Sequence, residues 1–334
     1  MKVLFIGGTG IISSACSRLA VDRGMELYLL NRGQSARAVP DGAQVLHADV
    51  RDPAAVASAL AGHTFDVVVN WMAFTPEHIE ADLKMFQGHT FMRETGQYVF
   101  ISSASAYQTP PASLPVTEST PLRNPFWQYS RDKVACEDRL VRAYREHGFP
   151  VTIVRPSHTY DQTLLPMDGG YTVVNRMRQG KPVIVHGDGT SLWTLTHHRD
   201  FAVGFVGLLG NPHALGEVFH ITGDEIQSWN QIFGAVAHAA GATAELLHLP
   251  SSVIAAHDPE WGAGLLGDKS HSMVFDNSKI KRAVPEFRAV IPFFQGAQEI
   301  MAWYDADPAR QVVNEALDKT MDALVAAYGR ALPL

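Results

Sequence analysis

Cysteine is scarce in this chain, which carries Cys16 and Cys136 among its 334 residues. The two thiols are far apart and lack the short spacing of a metal-binding pair. Both fall within stretches that we predict to be helices. The sequence therefore predicts buried free thiols, a reducing compartment and a cytoplasmic location.

Long apolar runs and a surplus of positive charge are also missing. No apolar run reaches the roughly 20 residues that a membrane helix needs, and the opening MKVLFIGG meets glycine too early for a signal peptide. The formal net charge of -7 argues against nucleic-acid binding through a basic surface. The 15 histidines are scattered without an HExxH motif. We therefore expect no membrane, no nucleic-acid partner and no metal site.

Short apolar stretches alternate with helical patterns through the first half of the chain. Each stretch is apolar nearly throughout, as strands covered by helices on both faces should be. This alternation predicts an α/β fold with a doubly wound parallel sheet of the Rossmann type. The predicted strands are KVLFIG, ELYLLNRG, AQVLHADV, FDVVVNWMA, QYVFISSASAY and VTIVRPS.

A glycine-rich turn follows the first predicted strand. Gly7 and Gly10 have the spacing of the first two glycines in a G-x-x-G-x-x-G motif, and Ser13 takes the third place. Glycine lets the backbone approach a pyrophosphate, and the next helix offers free N–H groups and a partial positive charge. We predict that the dinucleotide-binding residues of this turn are Gly7, Thr9, Gly10, Ile11 and Ile12.

The ends of the second and third predicted strands carry candidates for contact with the adenosine. A fold that prefers NAD usually has an acidic residue after the second strand, whereas this chain has Asn31 and Arg32. Arg32 suits a 2′-phosphate through charge-assisted hydrogen bonds, so NADP is favoured over NAD. Asp49, followed by Val50, is a candidate acceptor for the adenine amino group, with a simple turn residue as the alternative.

The stretch YSRDK places Tyr129 and Lys133 four residues apart, just before an apolar helical pattern. This spacing puts both side chains on one face of a helix. A cation beside a phenol favours phenolate, which turns a group that titrates near pH ~10 into an acid/base. The spacing alone also occurs by chance, so its meaning depends on the other motifs.

In combination, these motifs resemble the extended short-chain dehydrogenase/reductase family, in its NAD(P)-dependent epimerase/dehydratase branch. The glycine turn opens the chain, SSASAY ends the fifth predicted strand at residues 102–107, and YxxxK follows on the next helix. Arg155-Pro156 and the run THHRDFA are further matches. The resemblance extends over most of the chain, and the unusual GGTGIIS turn suggests an outlying subgroup.

The resemblance implies roles for these residues. Tyr129 would move the hydroxyl proton, Lys133 would lower its pKa and bind the nicotinamide ribose, and Ser103 would bind the same substrate oxygen. Together they would polarise a C–OH or C=O group beside the nicotinamide, so that hydride leaves or arrives. The other residues expected to line the cofactor are Asn70, Ala73, Ser102, Pro156, Ser157 and His158.

The sequence leaves the reaction open. Dehydratase and decarboxylase members carry an acid shortly after the catalytic Ser or Thr, where this chain has Ala104 and Ser105. The resemblance favours an epimerase that acts on a secondary alcohol of a sugar or nucleotide-sugar through a transient ketone. The alternatives are an NADP-dependent reductase or dehydrogenase of a polyol or ring ketone, and a non-catalytic nucleotide- or RNA-binding relative.

Two parts of the chain are predicted from the change in pattern near residue 160. Residues 1–160, with 190–225 returning to them, form the predicted NAD(P)-binding domain, and 161–334 form mainly a smaller substrate-binding portion. The expected partner is a small-molecule sugar or polyol, and a homodimer is usual for the family. Candidate ligands for a substrate diphosphate are Arg176, Arg178, Lys181 and Arg199.

Overall fold

The computed structural model describes residues 1–88 and 90–328, so 329–334 of the predicted C-terminal portion lie outside the described residues. The first half contains β1 (Lys2–Ile6), α1 (Ser13–Asp22), β2 (Glu26–Asn31), β3 (Gln44–His47), α2 (Pro53–Ala59), β4 (Phe65–Asn70), α3 (Pro76–Phe86), β5 (Met92–Ile101), α4 (Gln128–His147) and β6 (Val151–Pro156).

The second half contains β7 (Thr159–Tyr160), α5 (Tyr171–Arg178), β8 (Val183–His186), β9 (Leu192–Trp193), β10 (Thr196–His197), α6 (His198–Leu208), β11 (Val218–Ile221), β12 (Gln227–Ser228), α7 (Trp229–Ala239), β13 (Leu246–Leu249), α8 (Ser251–His257), α9 (Pro259–Gly264), α10 (Ser278–Ala283), α11 (Phe293–Asp305) and α12 (Glu315–Tyr328). Within the described ranges, no helix has both the length and the apolar character that a bilayer crossing requires.

The described residues form a parallel sheet of seven strands in the order β11-β6-β5-β4-β1-β2-β3. β1 lies near the centre and pairs in parallel with β2 on one side and β4 on the other. The strand order reverses between β1 and β4, and this reversal leaves a crevice at the carboxyl ends of the strands. The predicted α/β fold with a doubly wound sheet of the Rossmann type is confirmed.

Helices cover both faces of this sheet. On one face, α1 and α6 contribute Cys16, Phe201 and Phe205 to a buried apolar layer. On the other face, α3 and α4 contribute Phe86 and Cys136. The strands read as apolar throughout because both faces are buried. Both cysteines are buried free thiols in helices, as the sequence predicts.

A third apolar cluster holds together most of the chain after β7. Trp193 and Trp229 lie inside it, with 2% and 1% of their surfaces exposed. These two indoles are therefore core residues and are not free to stack on a ligand. The C-terminal helix α12 joins the same cluster through Met321 and Leu324.

One segment of the second half returns to the sheet. β11 pairs in parallel with β6 and forms the edge of the sheet. The Phe205 ring of α6 lies 4.8 Å from the Trp71 ring and 6.1 Å from the Phe5 ring of β1. Residues 198–221 thus belong to the sheet layers. The division of the chain into a cofactor domain and a substrate portion stays a prediction.

Candidate active site

The glycine turn between β1 and α1 requires glycine for two reasons. Gly7 and Gly8 have φ angles of +103° and +99°, a region that residues with a side chain rarely adopt. A Cβ atom at Gly8 would also lie 2.6 Å from Leu29 Cδ2. Ser17 Oγ donates to the Gly8 carbonyl oxygen at 2.8 Å and ties α1 to the turn. Sequence reasoning missed Gly8 and Ser17, although Gly8 adjoins the motif.

Ser13 replaces the third glycine of the motif through a hydrogen bond of its own. Its Oγ accepts the Gly10 N–H at 2.8 Å and joins the turn to the first residue of α1. The predicted residues Thr9, Ile11 and Ile12 lie along this turn and are partly buried. The turn and the helix N-terminus lie at the carboxyl end of β1, and they fit a dinucleotide pyrophosphate.

Two guanidinium groups lie beyond the ends of β2 and β3. Arg32 Nη1 is 3.8 Å from Asp49 Oδ2, and both side chains are about half exposed. Arg51 Nη2 donates to the Met72 carbonyl oxygen at 2.5 Å, beyond the end of β4. Burial is the main cause that lowers the pKa of Arg51, and Arg32 adds to this effect. Sequence reasoning missed Arg51, although it follows Asp49 by two positions.

Asn31 shapes the chain reversal after β2. Its Oδ1 accepts the Gly33 N–H at 2.8 Å, so the amide is held in the turn. The predicted Val50 lies between Asp49 and Arg51 and is partly buried. A neutral amide thus occupies the position after β2 where a fold that prefers NAD usually has an acidic residue.

Tyr129 and Lys133 lie on one face of α4, as the four-residue spacing predicts. Lys133 Nζ is 5.7 Å from the centre of the Tyr129 ring. The ammonium is buried and donates to the carbonyl oxygens of Ala73 and Ile101, both at 2.7 Å. Burial lowers the pKa of Lys133 to about 8. The predicted cofactor residue Ala73 thus contributes a backbone carbonyl that holds the lysine.

The pKa of Tyr129 differs from the sequence expectation. Burial raises it, hydrogen bonding with Ser103 acts in the opposite direction, and the charge of Asp268 raises it further. The charge of Lys133 is not among the causes of this shift, and the ammonium donates to two backbone carbonyls, so the lowering of the Tyr129 pKa by Lys133 stays a prediction. The phenol therefore carries its proton at neutral pH and is able to donate it.

Three serine hydroxyls form a chain beside the phenol. Ser103 Oγ lies 2.9 Å from Ser105 Oγ, and Ser130 Oγ donates to Ser105 Oγ at 2.8 Å. Ser103 also accepts the Ser105 N–H at 3.2 Å, at the start of a 3₁₀ turn over Ala104–Ala106. Sequence reasoning assigned no hydrogen-bonding role to Ser105 and missed Ser130. Both hold the Ser103 hydroxyl in position.

A cavity of about 270 Å³ brings the predicted catalytic and nicotinamide-side residues together. Ser103, Tyr129, Pro156, Ser157 and His158 all line it, as the resemblance implied. Residues of the C-terminal portion and of the loop before α4 also contribute. The lining consists of Ser103, Ala104, Ser105, Trp127, Tyr129, Pro156, Ser157, His158 and Asp268.

His158 takes part in the cavity wall as a neutral, packed side chain. Its Nδ1 accepts the Trp193 Nε1–H at 3.0 Å, and its φ angle is +34°. Burial, reinforced by the charge of Lys269, lowers the pKa of His158 to about 3. This histidine therefore remains uncharged at physiological pH, and its hydrogen bond from Trp193 fixes the imidazole in the cavity wall.

Asn70 and Ser102 were predicted to line the cofactor, but their side chains turn away from the crevice. Asn70 Nδ2 donates to Asp82 Oδ2 at 2.5 Å, and its Oδ1 accepts the Met72 N–H at 2.6 Å. Ser102 Oγ donates to Glu137 Oε1 at 2.5 Å. Their hydrogen-bonding capacity is used in buried networks under α3 and α4. The contact of these two residues with the cofactor stays a prediction.

The four cations predicted for a substrate diphosphate are already paired. Arg176 is 1% exposed and contacts Asp318 at 2.5 Å and Asp322 at 2.8 Å. Lys181 lies 3.8 Å from the same Asp318. Carboxylates of α11 hold the other two, in the pairs Arg178–Asp305 at 2.8 Å and Arg199–Glu299 at 2.5 Å. These side chains tie helices together, and their role as diphosphate ligands stays a prediction.

The fold and the site define an oxidoreductase-type protein with a nicotinamide-dinucleotide crevice. The family model described as "NAD dependent epimerase/dehydratase family" matches residues 3–222. The chain belongs to this family, as the motifs predicted. Relatives include epimerases, dehydratases and reductases, so the comparisons support an oxidoreductase-type enzyme without fixing the reaction.

Three individual comparisons illustrate this range. 2′-Dehydrokanamycin reductase of Streptomyces kanamyceticus is 24% identical over 300 residues, which cover 86% of this chain and 80% of that protein. Chloroplast stem-loop binding protein of 41 kDa b of Arabidopsis thaliana is 26% identical over 342 residues, or 97% and 84% of the two chains. UDP-glucose 4-epimerase of Bifidobacterium longum, solved with NAD+ and UDP, shares the fold with a TM-score of 0.73 at 20% identity, over 92% and 99% of the chains.

Proposed function

We propose that this protein transfers hydride between NADPH and a carbon that is a ketone or a secondary alcohol on a carbohydrate-like ring, with ketone reduction as the net reaction. The observation that carries the proposal is the placement of Ser103 and Tyr129 in the wall of one cavity at the carboxyl edge of the sheet, with Lys133 Nζ 5.7 Å from the centre of the Tyr129 ring. A bound nicotinamide supplies or accepts the hydride. The glycine turn and Lys133 are the groups that would hold the cofactor.

The protonation state of the phenol supports the reducing direction. Because its pKa is raised, Tyr129 carries a proton that it can donate to the substrate oxygen as hydride arrives at the neighbouring carbon. Ser103 offers a second hydrogen bond to the same oxygen. Lys133, with a pKa of about 8, supplies positive charge 5.7 Å from the ring that loses its proton.

Two features support NADP and a substrate without a nucleotide. Arg32 and Arg51 follow the ends of β2 and β3, and their positive charges support the binding of a 2′-phosphate on the adenosine. The four cations expected to bind a diphosphate are paired with carboxylates of α11 and α12. A relative named as a reductase of 2′-dehydrokanamycin is consistent with a carbohydrate ketone as the substrate class.

An epimerase that retains its cofactor is the second candidate. Family membership and the fold shared with a UDP-glucose 4-epimerase favour it. In that reaction a bound nicotinamide would accept hydride from a secondary alcohol and return it to the other face of the transient ketone, while the same three residues would bind the oxygen and move its proton. A non-catalytic RNA-binding role, suggested by the name of the Arabidopsis relative, is the third alternative.

The three candidates differ in what the purified protein carries and consumes. The reductase proposal predicts that NADPH binds reversibly and is consumed with keto sugars, as followed by absorbance at the nicotinamide band. Tightly bound NAD+ without net consumption, identified by mass spectrometry, would favour the epimerase. Retained RNA together with no affinity for either dinucleotide would refute both enzyme assignments.

A further inference from the structure

A carboxylate from the C-terminal portion completes the wall of the catalytic cavity. Asp268 belongs to a π-helical turn, Leu265–Lys269, and lines the cavity with Ser103 and Tyr129. π-Helical turns are rare and occur frequently at functional sites. The charge of Asp268 reaches the phenol, because it contributes to the raised pKa of Tyr129. None of the roles described above uses this carboxylate.

The position of the π-turn is fixed from the opposite side of the cavity. Asn124 Nδ2 donates to the Gly267 carbonyl oxygen at 2.6 Å and to the Ser105 carbonyl oxygen at 2.8 Å. The buried amide thus connects the π-helical turn to the 3₁₀ turn over Ala104–Ala106. A Cβ atom at Gly267 would lie 2.7 Å from Trp127 Cβ, so the turn packs directly against the start of α4. Asp268 is therefore held at a set distance from the catalytic hydroxyls.

Within residues 1–88 and 90–328, no hydrogen bond or ion pair satisfies the Asp268 carboxylate. Burial is the main cause that raises its pKa to about 6, Lys269 lowers the pKa, and Asp168 raises it. The other titratable groups in the cavity wall, Tyr129 and His158, carry no charge at neutral pH. Of the nine lining residues in the described part of the chain, Asp268 is the charged one.

We propose that Asp268 binds the protonated amine of an amine-bearing carbohydrate and so orients its ring beside Tyr129 and Ser103. This proposal rests on the proposed function and narrows its substrate class to amino sugars and related amino-substituted rings. An ammonium group brings both the opposite charge and three N–H donors, whereas a hydroxyl brings one donor and no charge. The face of Trp127 in the same wall also attracts a cation.

The size and charge of the cavity agree with this substrate class. A volume of about 270 Å³ lies near the lower end of ligand pockets and suits a single ring. An anionic ligand group next to Asp268 would meet a negative charge, and among the described residues that line the cavity none is a cation. The phosphate of a nucleotide-sugar is therefore disfavoured at this wall, while an amine is favoured.

Binding of three matched ligands tests the proposal without requiring turnover. Glucosamine, N-acetylglucosamine and glucose are titrated by NMR into the wild type, Asp268→Asn and Asp132→Asn, with NADP+ present. Asp132 lies on α4 outside the cavity, where Gln128 donates to it, and it gives the same chemical change as a control. The wild type is expected to bind glucosamine about tenfold more tightly than the two neutral sugars.

Asp268→Asn should remove the preference for glucosamine and leave the affinity for glucose within about twofold, while Asp132→Asn should behave as the wild type. The wild-type preference should also decline as the pH falls through about 6, because the carboxyl becomes protonated while the amine stays charged.

A wild type without the preference, or an Asp268→Asn variant that keeps it, would overturn the proposal. Failure of the proposed function would be seen separately, as absence of NADPH consumption with keto sugars, and would not alter this binding measurement.

Discussion

At the scale of single residues, the site depends on which hydrogen bonds each polar group has already made. Lys133 Nζ donates two hydrogen bonds, to the carbonyl oxygens of Ala73 and Ile101. The sequence predicted that Tyr129 and Lys133 share a helix face, because helical spacing alone decides that. It could not predict that these two carbonyl groups accept from Lys133. Every residue has a backbone carbonyl, and the tertiary fold decides which of them lie near α4.

Tyr129→Phe removes the proposed proton donor and keeps the shape of the ring. We expect the rate of NADPH-dependent ketone reduction to fall by about 10²- to 10⁴-fold, as is usual when a general acid is lost. Dinucleotide affinity should change little, which fluorescence titration with NADPH can measure. Tyr144→Phe is the matched control, since Tyr144 is an exposed tyrosine on the same helix. Full activity of Tyr129→Phe would refute the assignment.

Arg51→Ala removes one of the two guanidinium groups at the expected position of the 2′-phosphate. A charge-assisted hydrogen bond is worth about 1.5–3 kcal/mol, so NADPH affinity should fall by about tenfold or more. NADH affinity should remain nearly constant, because NADH lacks that phosphate. Arg145→Ala, an exposed arginine in the last turn of α4, serves as the control. Equal losses for both dinucleotides would contradict the preference for NADP.

Asp268→Asn should also change thermal stability with a definite pH dependence. The raised pKa of about 6 means that the fold favours the protonated carboxyl. The contribution of the protonated Asp268 carboxyl to the free energy of unfolding is complete below about pH 4, the ordinary pKa of an aspartate. This contribution is lost as the pH rises through about 6.

The variant should therefore melt about 1–3 °C above the wild type at pH 7.5, and the difference should vanish near pH 4. Differential scanning calorimetry across this pH range is the measurement. A pH-independent difference in melting temperature would show that the carboxylate is not desolvated.

At the scale of elements, the strands could be predicted from the sequence, but the direction of the side chains at their carboxyl ends could not. Apolar stretches predicted β1, β2 and β4–β6 because helices cover both faces of the sheet. Asn70 and Ser102 end two of these stretches, yet they turn toward Asp82 of α3 and Glu137 of α4. Their orientation is decided by buried partners on later helices. The π-turn with Asp268 was not predicted, because its packing partner Trp127 is far away in the chain.

Gly267→Ala tests whether close packing of the π-turn positions the cavity wall. The added methyl would lie 2.7 Å from Trp127 Cβ, so the turn has to shift. We expect a loss of about 1–3 kcal/mol in the free energy of unfolding and a raised KM for the ketone substrate.

Gly264→Ala is the control, because Lys269 Nζ at 3.9 Å is the nearest atom to a Cβ there. Urea denaturation and steady-state kinetics measure the two effects. Equal behaviour of the two alanine variants would show that the turn tolerates displacement.

At the scale of the whole molecule, distant parts of the chain complete one sheet. α6 packs beside α1 on one face of the sheet, and β11 forms the edge next to β6. The sequence predicted that residues 190–225 return to the first domain, and residues 198–221 do lie in the sheet layers. The boundary of the substrate portion and the homodimer stay predictions.

Phe205→Ala tests how much α6 contributes to the fold. Phe205 is fully buried between Phe5 and Trp71, and truncation of a buried phenylalanine costs about 3–5 kcal/mol. The free energy of unfolding in urea should fall by this amount, with loss of dinucleotide affinity only near the unfolding transition. Phe294→Ala, at a side chain that is 46% exposed, should cost much less. A small effect of Phe205→Ala would show that α6 is dispensable for the sheet.

The position of α6 has a consequence for how the protein is made. Residues 2–156, which contain β1–β6, are synthesised before residues 198–208 of α6, so the growing chain exposes for that interval the part of the apolar sheet face that α6 later covers. Chains whose translation stops between β6 and α6 would be prone to aggregation and proteolysis. Chains translated beyond residue 221 can bury this apolar face under α6.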